Sequence, residues 1–171
     1  MQGFTYSVAE ILGRPGEYRE VKIVEPLPGA GTPLARLEAS VEADLRAESV
    51  VEGVLMTGRA KAGVTFVCSR CLTEFPSEVS ARLCELFVGP GHEVGKEEDA
   101  YEVAGTEIDL EPMLRDAIVL ELPLSPVCSL DCKGYCAGCG QNLNEGACTC
   151  APEEVDPRWA GLEALRTKLD Q

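Results

Sequence analysis

The stretch CSLDCKGYCAGCGQNLNEGACTC, residues 128–150, contains six of the nine cysteines in this 171-residue chain. Two more, Cys68 and Cys71, lie in an earlier Cys-Ser-Arg-Cys sequence. A short Cys-x-x-Cys pair places two sulfurs on one side of a tight turn, as a tetrahedral zinc ion requires. The spacing therefore makes metal binding the first chemistry to consider.

These eight cysteines form four short pairs, which is enough for two four-thiolate zinc sites. We favour the arrangement that uses every pair once: Cys68, Cys71, Cys128 and Cys132 in one site, and Cys136, Cys139, Cys148 and Cys150 in the other. The alternative joins Cys128, Cys132, Cys136 and Cys139 in one local site and leaves the earlier pair without a complete ligand set. Four thiolates leave no position for water or substrate, so we expect structural rather than catalytic zinc, with two ions per chain.

Other chemistry is sparse. Cys84 is the spare cysteine, because no second cysteine lies close to it in sequence. The single histidine, His92, lies in an acidic loop without a nearby nucleophile, and no phosphate-binding glycine loop is present. A dithiol switch at Cys68 and Cys71 is disfavoured, since such motifs open a helix, whereas this one lies between two predicted strands. We therefore predict no catalytic residue and no small-molecule substrate.

The sequence before the main cysteine cluster predicts an antiparallel β-sheet. Residues 18–24 read as a strand, and residues 41–46 alternate apolar and acidic or basic side chains with the period of a half-buried strand. Residues 50–61 and 64–68 predict two further strands, and residues 75–87 another. Short connections between them favour a meander.

One main helix is predicted after the sheet. Asp109 is the expected N-cap, Pro112 fits the first turn, and apolar residues recur at helical spacing up to Ile118. The polar, glycine-rich residues 89–105 predict a mobile loop, and Trp159 begins the apolar side of a short terminal helix. The fold class is thus α+β, with a core domain at 1–122, a zinc-binding segment at 123–151 packed on it, and a C-terminal helix at 152–171.

Charge limits the possible partners. The formal charge is −14, from 15 basic and 29 acidic side chains, and two tetrathiolate zinc sites would bring it to about −18. Such a chain is repelled on average by phosphate backbones, so a basic protein or a local basic patch is the expected contact. The first residues lack the features of a signal peptide and no apolar run approaches a membrane span, so we expect a cytoplasmic protein without a membrane partner.

The few basic residues near the first cysteine pair could form one patch. Arg59 and Lys61 share a predicted strand face, Arg70 lies inside the Cys-x-x-Cys turn, and Arg82 lies on the following strand. Ordinary solvated strand faces would look the same. If the protein contacts RNA, we expect the contact at these four residues.

Several motifs together resemble those of the YceD-like large-subunit ribosomal RNA accumulation proteins. They are Pro15-Gly16, Glu52-Gly53, Cys68-Ser-Arg-Cys71-Leu72, Glu85-Leu86-Phe87, Ile108-Asp109-Leu110 and Pro123-Leu-Ser-Pro126. The segment from Cys128 to Asn144 resembles the cysteine-rich form of that family, although Ala137 stands where the family usually has proline.

The resemblance implies a non-enzymatic accessory factor in large-subunit ribosome biogenesis that supports accumulation of large-subunit ribosomal RNA. The expected partner is precursor RNA or a basic large-subunit ribosomal protein, because the family's gene adjoins one for such a protein in many bacteria. Two alternatives remain from the residues alone. One is a zinc-dependent protein–protein adaptor outside the ribosome, and the other is a Cys-x-x-Cys thiol oxidoreductase.

Overall fold

The strands with alternating apolar residues form the centre of the protein. The computed structural model describes residues 3–27, 29–37, 40–91, 100–150 and 158. Within these residues the strands are β1 (Thr5–Ser7), β2 (Tyr18–Glu25), β3 (Gly31–Thr32), β4 (Ala35–Leu37), β5 (Val41–Ser49), β6 (Gly53–Val67), β7 (Glu74–Val88), β8 (Tyr101–Glu102) and β9 (Glu107–Asp109), and the helix is α1 (Glu111–Leu120).

Alternation along β5 and β7 places one set of side chains in the core. In β5, Val41, Ala43 and Leu45 are buried, whereas Glu42 and Asp44 are exposed. In β7 the buried set is Val79, Ala81, Leu83 and Phe87, and the residues between Glu78 and Cys84 on the other face are exposed. Side chains on a strand point to opposite faces in turn, so one face of this sheet is apolar and the other faces solvent.

The hairpin of β6 and β7 is longer than the sequence predicts. Two strands were expected at 50–61 and 64–68, but β6 is one strand that pairs with β7 over 15 consecutive residues. Its middle, residues 57–63, has two glycines and no apolar residue larger than alanine, so its apolar signal is weak, and continuous pairing to β7 overrides that weak local signal. The hairpin therefore carries Cys68 and Cys71 at its far tip.

The sheet is only partly the predicted meander. β5, β6 and β7 do follow one another as antiparallel neighbours, and β2 pairs with β5 on the outer side. The short β3–β4 hairpin, however, pairs with the last part of β6, on the edge that β5 occupies further back along the strand. A strand as long as β6 can hold two shorter partners end to end, which a strict strand-after-strand topology does not include.

Helix α1 covers the apolar face of the sheet. It packs against β6 and β7 and buries Met113, Leu114 and Ile118. The predicted cap differs by one residue: Leu110 occupies the N-cap position, but the Asp109 carboxylate accepts the Glu111 N–H at 3.0 Å. Pro112 lies in the first turn, as predicted.

The predicted loop at 89–105 contains ordered structure in its described part. β8 pairs in parallel with the end of β7, where Tyr101 stacks on Phe87 at 5.3 Å and donates its hydroxyl to Asp116 at 2.7 Å. Two-residue strands carry no periodic signal, so the sequence could not reveal it. His92, the acidic run after it and the predicted helix containing Trp159 lie outside the described residues.

A second, two-stranded sheet joins the two ends of the core. β1 pairs antiparallel with β9, just before α1. Val8, Ile11 and Ile108 from this region enter the same core as the main sheet. In the part of the chain that the structure describes, no helix is long and apolar enough to cross a membrane.

Candidate metal centres

The structure groups eight cysteines into two tetrads. The first tetrad consists of Cys68, Cys71, Cys128 and Cys132, and the second of Cys136, Cys139, Cys148 and Cys150. Within each tetrad all four sulfurs lie within 4.8 Å of one another. This is the grouping that uses each short pair once, and not the local grouping of residues 128–139.

The first tetrad joins the hairpin tip to the segment after α1. Cys68 and Cys71 come from the turn between β6 and β7, where the Leu72 N–H donates to the Cys68 carbonyl at 2.9 Å. The Ser69 N–H donates to the Pro126 carbonyl at 2.8 Å, which brings the following Cys128 to the tip. Cys68, Cys71 and Cys132 are buried, and Cys128 is exposed.

Sulfur spacing in the first tetrad matches a tetrahedral metal site. The Sγ atoms of Cys68 and Cys132 are 3.9 Å apart, and those of Cys71 and Cys128 are 3.7 Å apart. Four sulfurs at 2.3 Å from a central zinc ion would lie about 3.8 Å from one another. Disulfide sulfurs would lie at about 2.05 Å, so these cysteines are free thiols positioned as ligands.

Protonation in the first tetrad is uneven. Burial acts to raise the pKa of Cys68, but backbone N–H groups of Cys128, Cys71 and Arg70 outweigh it and lower the pKa to about 6. Desolvation, together with the neighbouring sulfurs, raises the pKa of Cys128 to about 12. Four close sulfurs repel one another as thiolates, so their full ionisation requires a cation among them.

The second tetrad is built within the cysteine-rich segment, which comprises residues 128–150. The Gly140 N–H donates to the Cys136 carbonyl at 2.8 Å, and Gly140 has φ +74°, a left-handed conformation that glycine adopts without strain. Backbone N–H groups of Cys139 and Gly138, with the Cys148 side chain, lower the pKa of Cys136 to about 6. The sulfurs of Cys139 and Cys136 raise the pKa of Cys150 to about 12. In this tetrad, as in the first, one thiol has a lowered pKa and another has a raised pKa.

Two polar side chains that the sequence did not single out for this role support the first tetrad. The Asn144 amide donates to the Cys132 sulfur at 3.3 Å and lowers the pKa of that thiol. Asn144 is twelve residues from Cys132, so no local spacing signals the contact. The Arg70 guanidinium donates to the carbonyls of Leu130 and Cys132 at 3.1 and 3.3 Å. Both contacts hold the cysteine-rich segment against the hairpin tip.

The two Cys-x-x-Cys turns differ at the residue after the second cysteine. Glycine occupies this position in the second tetrad, whereas the first has Leu72 at φ 60° with its side chain 57% exposed. A side chain in the left-handed region costs about 1–2 kcal/mol relative to glycine. The hydrogen bond from Leu72 to Cys68 holds this strained turn in place.

The four basic residues of the predicted patch do not lie together. Arg59 and Arg82 are directly opposite each other on β6 and β7, on the solvent-exposed face of the sheet. Lys61 is two residues along the same face and forms an ion pair with Glu78 at 3.5 Å. Arg70 lies at the hairpin tip and bonds to the cysteine-rich segment, so it is separated from the other three. Cys84, exposed on the same sheet face, joins neither tetrad.

Comparison with known proteins places both tetrads inside one family match. The model of the family described as "Large ribosomal RNA subunit accumulation protein YceD" matches residues 56–166. This range begins in β6 and contains every residue of the two tetrads, together with Arg59 and Arg82. No solved structure matches the chain.

Several curated proteins are similar over most of the chain. An uncharacterized protein of Mycobacterium tuberculosis is 39% identical over 164 residues, covering 92% of this chain and 79% of its own length. One of Mycobacterium leprae is 38% identical over 168 residues, covering 92% of this chain and 75% of its own length.

A plant protein is similar over a shorter part of the chain. This chloroplastic protein of Arabidopsis thaliana, named large ribosomal RNA subunit accumulation protein YCED homolog 1, is 40% identical over 65 residues, covering 38% of this chain and 20% of its own length.

Proposed function

Because this chain belongs to the YceD family of large ribosomal RNA subunit accumulation proteins, we propose that it is a non-enzymatic accessory factor in large-subunit ribosome biogenesis. It supports accumulation of large-subunit ribosomal RNA by binding the precursor RNA. The observation that carries this proposal is the family match, which spans the long hairpin, the helix and both tetrads. The name of the chloroplastic relative also refers to large ribosomal RNA subunit accumulation.

Zinc is the metal that this donor set favours. Four thiolates in a tetrahedron suit zinc, and a site closed by four protein ligands stabilises structure and leaves no place for a reacting water. Cys68, Cys71, Cys128 and Cys132 would hold one ion, and the second tetrad another. When bound, the ions supply positive charge that allows all eight thiols to ionise. The residues around them then hold the hairpin tip and the cysteine-rich segment as one rigid surface.

The arginine pair on the sheet face is the proposed RNA contact. Arg59 and Arg82 are cross-strand neighbours, so their Cβ atoms lie about 5 Å apart and their like charges repel. Neither has an ion-pair partner among the residues that the structure describes. Asp44, which is also opposite Arg59, pairs instead with Lys22 at 3.1 Å. Two adjacent unpaired guanidinium groups in an acidic protein are suited to bind phosphate groups.

Reversal of these two charges tests the proposal. We expect Arg59→Glu with Arg82→Glu to weaken co-sedimentation of the full chain with large-subunit precursor particles at least threefold. Arg14→Glu with Arg36→Glu makes the same change in net charge at exposed positions outside both tetrads and should leave it unchanged. Equal co-sedimentation of both double variants would remove the arginine pair from the proposal. Arg70 is unsuitable for this test, since its loss would also disturb the first tetrad.

The non-enzymatic assignment has its own test. A thiol oxidoreductase needs free Cys68 and Cys71, whereas in the proposed protein both are occupied by metal. The metal-loaded chain should therefore show no dithiol reductase activity. Activity that survives metal loading would favour the oxidoreductase alternative.

A further inference from the structure

A groove separates the two sheets at one side of the molecule. It lies between β1 and β2, has a volume of about 750 Å³, and is lined by nearly every residue of both strands. Its lining includes the buried side chains of Val21, Ile23, Ile11 and Leu110. A lining of consecutive residues from both strands means that the groove is bordered by strand edges and not by sheet faces.

The edge of β2 that faces away from β5 has no strand partner. β2 is the terminal strand of its sheet among the described residues. The Glu17 carbonyl accepts the Ser49 N–H at 2.9 Å, so alternation directs the odd-numbered residues of β2 toward β5. The N–H and C=O groups of Glu20, Lys22 and Val24 therefore point outward, away from β5.

The edge of β1 is open in the same way. The Phe4 carbonyl accepts the Leu110 N–H at 3.0 Å, and the Val8 N–H donates to the Thr106 carbonyl at 2.8 Å. These bonds direct the even-numbered residues of β1 toward β9. The peptide groups of Thr5 and Ser7 therefore point to the opposite side, so the described residues give the region two unpaired strand edges.

The backbone of β2 is regular along its open edge, and the charged side chains of the strand are Arg19, Glu20, Lys22 and Glu25. It runs for eight residues without proline, and its register with β5 is constant from Tyr18 to Glu25, so it has no bulge. Protected edges are typically short, bulged, interrupted by proline or lined with unpaired charges. Of these features β2 has only charges, and ion pairs with Glu10 and Asp44 neutralise Arg19 and Lys22. An ion pair between Arg19 and Glu10 at 3.0 Å joins β2 to the turn after β1. A regular edge beside a cavity is suited to accept another strand of complementary charge.

The charges around the groove select the kind of strand. Its two basic side chains are already paired, Arg19 with Glu10 and Lys22 with Asp44. Glu20, Glu25 and Glu107 line the same groove and have no ion-pair partner among the described residues. The buried side chains that line the groove are therefore apolar, and its unpaired charges are the three carboxylates. A strand whose side chains alternate can place apolar groups against the apolar lining and basic groups against the carboxylates.

We infer that the groove between β1 and β2 binds an extended, basic peptide segment of a partner protein by adding it as a strand to the edge of β2. Backbone hydrogen bonds to Glu20, Lys22 and Val24 fix the peptide, and its lysine or arginine side chains meet Glu20, Glu25 and Glu107. This site is separate from the arginine pair on the sheet face. Peptide binding and particle co-sedimentation can consequently fail independently.

A synthetic peptide of alternating lysine and valine provides the probe. We expect it to bind the full chain at low salt, as measured by fluorescence anisotropy, and a glutamate–valine peptide not to bind. Lys22→Pro removes an outward N–H while leaving the β2–β5 ladder intact, since proline is tolerated where the missing donor faces solvent. Lys22→Ala is the matched control, because it also loses the ion pair with Asp44 but keeps the N–H. The proline variant should bind at least tenfold more weakly than the alanine variant.

The probe can also be changed while the protein is left intact. N-methylation of alternate residues of the lysine–valine peptide blocks its hydrogen bonds to a strand edge, and we expect a similar loss of binding even if the proline variant fails to fold. Equal binding by the methylated and unmethylated peptides would overturn the inference. So would a dimer of the free chain that disappears in Lys22→Pro, because a second copy would then occupy the edge. Protection of the Lys22 amide from hydrogen exchange in the free monomer would also contradict it, since the chain itself would cover the groove.

Discussion

Asn144 is the residue that ties the second half of the cysteine-rich segment to the first tetrad. Its side-chain Nδ2 donates to the Cys132 sulfur, and its side-chain Oδ1 accepts the Lys133 N–H at 2.8 Å. A hydrogen bond to a thiolate stabilises the charged form, and the pKa of Cys132 is lowered accordingly. Outer contacts of this kind orient a ligand and tune its affinity for metal.

We predict that Asn144→Ala weakens zinc binding at the first tetrad by about tenfold, the lower end of the usual effect of removing such a contact. Competition with a chelator of known affinity measures the change. The second tetrad provides an internal control, because no described hydrogen bond joins Asn144 to its sulfurs. Equal weakening at both tetrads would mean that the substitution acts by general unfolding of the segment.

Local spacing revealed which cysteines form the two tetrads but not which residues support them. The pairs of cysteines are two to four residues apart, so each pair is visible in the sequence as a unit. The sequence predicts an RNA contact at Arg70, because nothing around this residue shows that Leu130 and Cys132 lie next to it in space. Contacts across about sixty residues are set by the fold, and a single sequence does not contain them explicitly.

At the scale of elements, Gly58 allows β5 and β6 to approach closely. It lies opposite Leu45 with φ +153°, and a Cβ atom there would be 2.2 Å from the Asp44 carbonyl oxygen. Such a contact cannot be relieved by rotating a side chain, since the obstructing atom belongs to the backbone. The close spacing of β5 and β6 therefore requires a residue without a side chain at position 58.

We predict that Gly58→Ala lowers the free energy of unfolding by about 3 kcal/mol, through the clash and the strained backbone together. Denaturant unfolding followed by circular dichroism measures it. Gly13→Ala is the control, because Gly13 also has positive φ, at 75°, but nothing lies within 4 Å of its added Cβ. That variant should lose about 1 kcal/mol. Similar losses in both would show that the close approach of the two strands does not matter.

The sequence predicted the strongly periodic elements better than the short ones and better than β6. β5, β7 and α1 each contain enough residues for a period of two or 3.6 to be recognised. β1, β8 and β9 have three residues or fewer, and pairing partners far along the chain determine them. β1 and Glu107 of β9 line the groove beside β2, so the groove could not have been foreseen.

For the molecule as a whole, the net negative charge opposes the proposed binding of ribosomal RNA, and the distribution of charge resolves this conflict. The net charge of −14 repels phosphates at long range. The arginine pair presents a local exception on the sheet face, and the acidic groove lies along the edge of the same sheet. A factor arranged in this way can contact RNA at one surface and a basic polypeptide at another.

The central claim is that two groups of four cysteines, drawn from distant parts of the chain, each hold one structural zinc ion. Native mass spectrometry of the purified, reduced full-length chain tests it most directly. We predict two zinc ions per chain, one in Cys68→Ser and one in Cys148→Ser. A wild-type chain that holds only one ion and keeps it in Cys68→Ser, or a metal-free chain that remains folded, would contradict the account.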